Sequence, residues 1–275
     1  MNSVFEGKTV IITGASAGVG AACARAFATH KANLVLCARG QTGLDTIAEE
    51  LSVQCSVLTV AMDVSNTDQC LALLTTAEAE FGRVDVLINN AGMHSRGDIE
   101  KVEPADVAMM VDINLRAPLM LSCAALPFIK KSDGGAIVMV GSLAGMAPLQ
   151  GAATYSATKS GLRAFAFALA DELQDTDINV GVVSPGPIDT GFIMSEIDNV
   201  EDIVFSQPMS SADAVADAVL SIACGEKTEI AMPAASGRLV TLSYLFPALR
   251  RLLRPKLYAK GRKNKDNYRN RSITK

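Results

Sequence analysis

The sequence has no tryptophan, and only 5% of its 275 residues are aromatic. Carbohydrate clefts and base-stacking platforms are built from aromatic faces, so neither is expected. Histidine is nearly missing, with His30 and His94 the whole supply. The six cysteines (Cys23, Cys37, Cys55, Cys70, Cys123 and Cys224) form no C-x-x-C pair, and most sit in apolar runs. A zinc site is therefore not expected, and the thiols read as reduced core groups of a cytoplasmic protein. No apolar run reaches the length of a membrane-spanning helix. Residues 1–10 lack the basic-then-apolar pattern of a secretory signal.

Hydrophobic residues make up 49% of the chain and charged residues 20%, enough apolar material for a large core. The length suits one domain, or one domain and a tail. Charge divides the chain at the same place. Residues 236–275 carry 12 of the 25 Lys and Arg but a single acid, Asp266, for a net +11, which leaves −15 on the rest. The acidic body, 1–235, should not attract nucleic acid, whereas the 236–275 extension suits a polyanion.

Short apolar runs alternate with helical patterns about seven times. Strands are expected at Lys8–Thr13, Asn33–Ala38, Ser56–Met62, Asp85–Asn89, Ala136–Val140, Ile178–Ser184 and Glu229–Met232. Helices are expected between them at Val19–Thr29, Gly43–Leu51, Asp68–Phe81, Pro104–Lys130, Gly151–Leu173 and Ala212–Ala223. The strands are apolar throughout instead of alternating, as in a sheet covered on both faces. The pattern predicts a doubly wound α/β fold with a mostly parallel, seven-stranded sheet. In such sheets ligands sit beyond the carboxyl ends of the strands.

The unusual residues fall at those ends. After the first strand comes Thr13-Gly14-Ala15-Ser16-Ala17-Gly18-Val19-Gly20. Glycines there let backbone N–H groups approach a pyrophosphate at a helix start. An NAD site usually has an acid at the end of the second strand, but this chain reads Cys37-Ala38-Arg39-Gly40. A guanidinium suits a 2′-phosphate, so NADP(H) is favoured over NAD(H).

Thr13–Gly20, Asn89-Asn90-Ala91-Gly92, Asn114, Ser142, Tyr155-x-x-x-Lys159 and Pro185-Gly186 together resemble the short-chain dehydrogenase/reductase family, over about residues 5–235. The resemblance implies a Rossmann-type catalytic domain and roles for single positions. Tyr155 would be the general acid/base. Lys159, one helical turn on, would lower the tyrosine pKa and bond the nicotinamide ribose. Ser142 would orient the substrate oxygen, and Asn114 would hold a water in a proton relay with Lys159. Gly14, Ser16, Gly18, Val19 and Gly20 would cradle the pyrophosphate. Asp63, Val64, Asn90, Ala91 and Gly92 would meet the adenosine side. Pro185, Gly186, Ile188 and Thr190 would meet the nicotinamide. His94, near the cleft mouth, reads as a loop residue.

Residues 191–209 would cover the substrate, with Phe192, Leu143, Gln150, Ser142 and Tyr155 as contacts. That wall contains no Arg or Lys, which favours a small apolar carbonyl or alcohol. A homodimer or homotetramer through the two long helices follows from the resemblance. A non-catalytic NADP-binding sensor or scaffold, and an NAD-dependent alcohol dehydrogenase, remain as alternatives. Beyond residue 235, Leu239, Leu242, Leu245, Phe246, Leu249, Leu252 and Leu253 recur at helical spacing beside arginines. Such a stretch suits peripheral contact with an anionic membrane surface, and it equally suits packing on the body or a partner. The last fifteen residues read as disordered.

Overall fold

A computed structural model of the chain describes the backbone of residues 4–273 and the side chains of 4–270. Its centre is one parallel sheet of seven strands in the order β3-β2-β1-β4-β5-β6-β7. The strands are β1 (Thr9–Thr13), β2 (Asn33–Ala38), β3 (Val57–Ala61), β4 (Val86–Asn89), β5 (Gly135–Val140), β6 (Ile178–Pro185) and β7 (Glu229–Met232). Their continuous apolar character is explained by the two cores. Along β1, Val10 and Ile12 enter one core while Ile11 enters the other, and all three are fully buried. Both faces of the pleat are thus dry, and alternation has no polar side to report.

One face carries α1 (Gly18–Thr29), α2 (Gln41–Leu51) and α8 (Ala212–Ala223). The other carries α3 (Thr67–Phe81), α4 (Pro104–Val111), α5 (Ala117–Ile129) and α6 (Ala153–Glu172). The expected helix over Pro104–Lys130 differs in its middle. Asp112–Arg116 is a π turn joining α4 to α5, an extra residue in the helical ladder of a kind common at functional sites. By length and composition Pro104–Ile129 could cross a membrane. Here Ile113, Ala117, Leu121, Ala125 and Ile129 bury one of its faces in the sheet core. Cys23 and Cys37 are core thiols pushed up to about 12 by burial, but Cys123 and Cys224 are exposed.

The chain beyond residue 235 corrects the expectation of a disordered end. After the short α7 (Gly191–Met194), α9 (Ala234–Leu245) leaves β7 and α10 (Pro247–Ile273) returns across the segment 196–206. The last fifteen residues are helical through Ile273, and the rest of them lie outside the described residues. Opposite charges account for the docking. Arg262 pairs with Asp202 at 3.1 Å, and Arg269 pairs with Asp198. Lys265, 6% exposed, donates to the Val200 carbonyl at 2.6 Å and lies 3.5 Å from Asp202. Beneath them Phe205 is fully buried with Ile193 and Val200.

Gly261 sets how closely α10 approaches, since a Cβ there would stand 1.8 Å from the Asp202 carbonyl oxygen. Gly261→Ala therefore tests packing against propensity. Propensity alone would add about 1 kcal/mol to the helix. The clash instead should cost about 1–3 kcal/mol and loosen α10. Trypsin should cut within 250–270 faster in this variant than in the wild type, and unchanged protection would contradict the packing seen.

Candidate active site

The carboxyl ends of the strands open onto one cavity of about 1210 Å³, larger than a single small ligand needs. Its floor at β1 is a glycine cradle. Gly14 and Gly18 hold φ of +67° and +55°, in the left-handed region. A Cβ on Gly20 would stand 2.2 Å from the Gly14 carbonyl oxygen, so α1 can approach the loop only as glycine. The N-cap of α1 is Ala17, whose side chain satisfies no amide, and Ala17, Gly18 and Val19 all line the cavity. Open amides at a positive helix end make an anion seat. Asn90 locks this loop to β4 by donating to the carbonyls of Thr13 at 2.8 Å and Gly14 at 3.1 Å.

The centre of the cavity lies where β5 meets α6. The chain leaves β5 through Gly141 and turns at Ser142, whose Oγ accepts from the Ala144 amide at 3.1 Å and also hydrogen-bonds Tyr155. Ser142 is thus both a helix cap and a site hydroxyl. Lys159 Nζ donates to the Val140 carbonyl at 2.8 Å and lies 5.8 Å from the centre of the Tyr155 ring. Lys159 is 4% exposed, and burial alone lowers its pKa to about 8. Burial also raises the Tyr155 pKa, against lowering by the Ser142 hydrogen bond and the Arg96 charge. The charge opposing burial at Tyr155 therefore comes from Arg96, where the sequence pointed to Lys159.

Two residues that the sequence left in a loop belong to this site. His94 stacks on Tyr155, with ring centroids 4.2 Å apart and planes 12° from parallel. Arg96 bonds His94 Nδ1 at 2.9 Å, donates to the Phe192 carbonyl at 2.9 Å and pairs with Glu196 at 3.2 Å. Burial, with the charges of Arg96 and Lys159, pushes His94 down to about 3, so the ring is neutral at pH 7. Position along the chain gave no signal beyond a scarce histidine close after β4.

Gly14, Gly18, Val19, Asn90, Ala91 and Gly92 line the cavity on the cradle side. Ser142, Leu143, Gln150, Tyr155 and Lys159 line its middle, and Pro185, Gly186, Ile188, Thr190 and Phe192 its far wall. Ser16, Gly20, Arg39, Asp63, Val64 and Asn114 are outside the lining. Ser16 packs under α2, where a Cβ on Gly43 would stand 2.9 Å from its Cβ. Arg39 is exposed at the end of β2, close enough to Asp63 to help hold that carboxyl below its usual range; the larger cause is the Ser65 amide bonding Asp63 at 2.8 Å. Val64 is buried among the sheet core residues.

Asn114, expected to hold a water in a relay with Lys159, lies near Lys159, both side chains within 4 Å of where a Cβ on Gly92 would stand. In the π turn its Oδ1 accepts from the Met93 amide at 2.8 Å, and its Nδ2 donates to the Met93 carbonyl at 2.8 Å. The amide thus closes on the backbone beyond β4. The apolar substrate wall needs correction. Phe192, Ile193 and Val204 line the cavity, but Phe205, Ile197 and Met209 pack inward. The cavity does hold cations, from Arg96 and from α10.

Known proteins place this geometry. The family model described as short chain dehydrogenase matches residues 8–201. A ketoacyl reductase, HetN, of Nostoc sp. is 36% identical over 220 residues, 79% of this chain and 77% of its own. An NADP-dependent 3-hydroxy acid dehydrogenase of Schizosaccharomyces pombe is 36% identical over 194 residues, 69% of this chain and 75% of its own. A short chain dehydrogenase from Mycobacterium paratuberculosis, solved bound to NAD, superposes with a TM-score of 0.76 at 23% identity, over 85% of this chain and 99% of its own, a likeness of fold.

The buried ammonium has a stability consequence. A folded pKa of about 8 against 10.5 costs about 3 kcal/mol at pH 7. Lys159→Met removes that cost and one hydrogen bond of about 1 kcal/mol. The variant should therefore be more stable at pH 7 by about 2 kcal/mol. The depressed pKa leaves the unfolded chain with more bound protons between pH 8 and 10.5, so the wild type recovers stability across that window. The gain should shrink there, which thermal denaturation at stepped pH reads directly.

Proposed function

The chain belongs to the short-chain dehydrogenase family, and on that premise we propose that it transfers a hydride between NADP(H) and the carbonyl or secondary-alcohol carbon of an apolar substrate. It is an oxidoreductase that uses a nicotinamide cofactor, as its family does. The observation that carries the finer reading is the convergence of Ser142, Tyr155 and Lys159 on the same cavity as the glycine cradle.

The residues present fit a dinucleotide. The open amides of α1 and the close-packed Gly14 and Gly20 suit a pyrophosphate, and Pro185, Gly186, Ile188 and Thr190 suit the nicotinamide end. The bound dinucleotide supplies or accepts the hydride. In reduction, Ser142 Oγ holds the substrate oxygen and Tyr155 Oη gives it a proton as the carbon gains its C–H bond. In oxidation Tyr155 acts in its deprotonated form, the tyrosinate oxygen taking the proton from the alcohol. A raised tyrosine pKa keeps Oη protonated for the donating step. Lys159, with a pKa of about 8, is suited to pass a proton onward at working pH. Asn114 is a positioning residue, fixing Met93 at the start of the loop that carries His94 and Arg96.

The NADP(H) preference rests on Arg39, exposed at the end of β2 where no acid stands. The likeness to an NADP-dependent relative supports it. Replacing Arg39 with Ala should weaken NADPH about 10- to 100-fold and leave NADH nearly unchanged, as for a lost charge-assisted bond. Fluorescence titration of both nucleotides checks this, and equal losses would remove the assignment. Tyr155→Phe should bind nucleotide normally but lose about 10²–10⁴-fold in turnover of apolar ketones. A wild type that binds nucleotide yet is inert toward a broad carbonyl panel would instead favour a sensor or scaffold.

The reading includes a cytoplasmic homodimer or homotetramer through the outer faces of α4–α5 and α6, where Met109 and Val111 are exposed apolar groups. It also includes peripheral contact with anionic lipid. Leu242, Tyr244, Leu245, Phe246 and Leu252 point outward beside exposed Arg238 and Lys256, as on an interfacial helix. Sedimentation of the full chain with anionic vesicles should carry down wild type and leave Leu245→Glu/Phe246→Glu in solution.

A further inference from the structure

The cations of α10 serve two ends. Toward the C-terminus, Arg262, Lys265 and Arg269 are neutralised by Asp198 and Asp202. Toward the N-terminus, Arg250, Arg251, Arg254 and Lys260 enter no ion pair among the described residues, and all four line the cavity. Arg254 stacks on Tyr258, its guanidinium 5.3 Å from the ring centre.

The cavity's other two cations are already engaged, Arg96 by Glu196 and Lys159 by the Val140 carbonyl. Among the described residues no aspartate or glutamate lines the cavity. The four α10 cations outnumber Glu201, whose carboxylate accepts from Tyr258 Oη at 3.0 Å beside Arg254. The cradle follows β1, while α9 and α10 follow β7, four strands along the sheet. At roughly 4.8 Å per strand, β1 and β7 lie about 19 Å apart, and α9 packs on the β7 side. Apolar side chains, among them Leu239, Val240, Leu253 and Leu257, line the same cavity as the α10 cations and Ser142.

We propose that the α10 arginines Arg250, Arg251 and Arg254 form a second anion seat in the cavity, and that the substrate is an amphiphile with a carbonyl or alcohol near one end of an apolar chain and a carboxylate or phosphate at the other. The arrangement sorts the substrate by polarity. The apolar stretch lies along Leu253 and Leu257, and guanidinium forks hold the anionic terminus by paired, charge-assisted bonds. The role assigned to the far end rests on the oxidoreductase reading, but the anion seat itself does not.

Binding of a fluorescent dodecanoate probe and of its methyl ester to the full chain, both below their micelle concentrations, separates the two claims. The wild type should bind the carboxylate about 10- to 100-fold more tightly than the ester, and salt should erode the difference. Arg250→Gln/Arg251→Gln/Arg254→Gln should bind both probes alike while NADPH affinity stays unchanged. Lys256→Gln, an exposed α10 cation outside the cavity, should keep the preference. Equal binding of the two probes by wild type, a preference retained in the triple variant, or its loss in Lys256→Gln would overturn the seat. A dodecyl phosphate competitor that displaces the probe as well as dodecanoate does would make phosphate an equal occupant, within the proposal; displacement by neither would overturn it. Intact probe selectivity in a chain that reduces no carbonyl compound would leave the seat standing and sink the hydride-transfer reading.

Discussion

The site is organised around an amine held out of water. Lys159 gives up hydration for one carbonyl, that of Val140, and for a place under the Tyr155 ring. Such a group stays put only if the backbone around it cannot move. Here the 3₁₀ turn after Ser142 is pressed onto α6: a Cβ on Gly145 would stand 2.6 Å from the Lys159 carbonyl oxygen, and Ser160 Oγ donates to the Gly145 carbonyl at 2.9 Å. Ser142, Tyr155 and Lys159 are therefore parts of one rigid junction between β5 and α6. Rigidity of this kind favours chemistry, because donors already in place need no reorganisation as charge develops.

Charge is distributed with the same economy. Among the described residues no carboxylate lines the cavity wall, while Asp198 and Asp202 on its outer cover hold α10. Arg96 links the two regions. It bridges from the loop after β4 to Glu196 and the Phe192 carbonyl, and through His94 it reaches the Tyr155 ring. The basic extension is thus a built part of the cavity, closing the side that the sheet leaves open beyond β7. An acidic body and a basic extension make sense as two halves of one electrostatic contact.

What the sequence disclosed follows a physical division. Strands and helices were legible because their signals are local: β-branched apolar runs, caps and glycines reproduced β2, β7 and α8 to the residue. The motif residues were legible because chemistry fixes their spacing, as between Tyr155 and Lys159. The π turn was not, because the insertion of one residue near Asn114 leaves the apolar periodicity almost intact. Nor were His94 and Arg96, whose roles come from contacts across the fold to Tyr155 and Glu196. The ordering of the C-terminal end was misread for a similar reason: its polar composition lacks core residues, and its stability comes from Asp198, Asp202 and a close approach at Gly261. The apolar wall was read too simply, since contributions from α10 lie more than forty residues further along the chain.

The most direct measurement is of the Lys159 amine itself. In a chain carrying ¹³C-labelled lysine side chains, one resonance missing from the Lys159→Met spectrum should titrate near pH 8, well below the reference lysine value of about 10.4. A Lys159 resonance that titrates at the reference lysine value would mean a hydrated amine, and the rigid, water-excluded junction described here would be wrong.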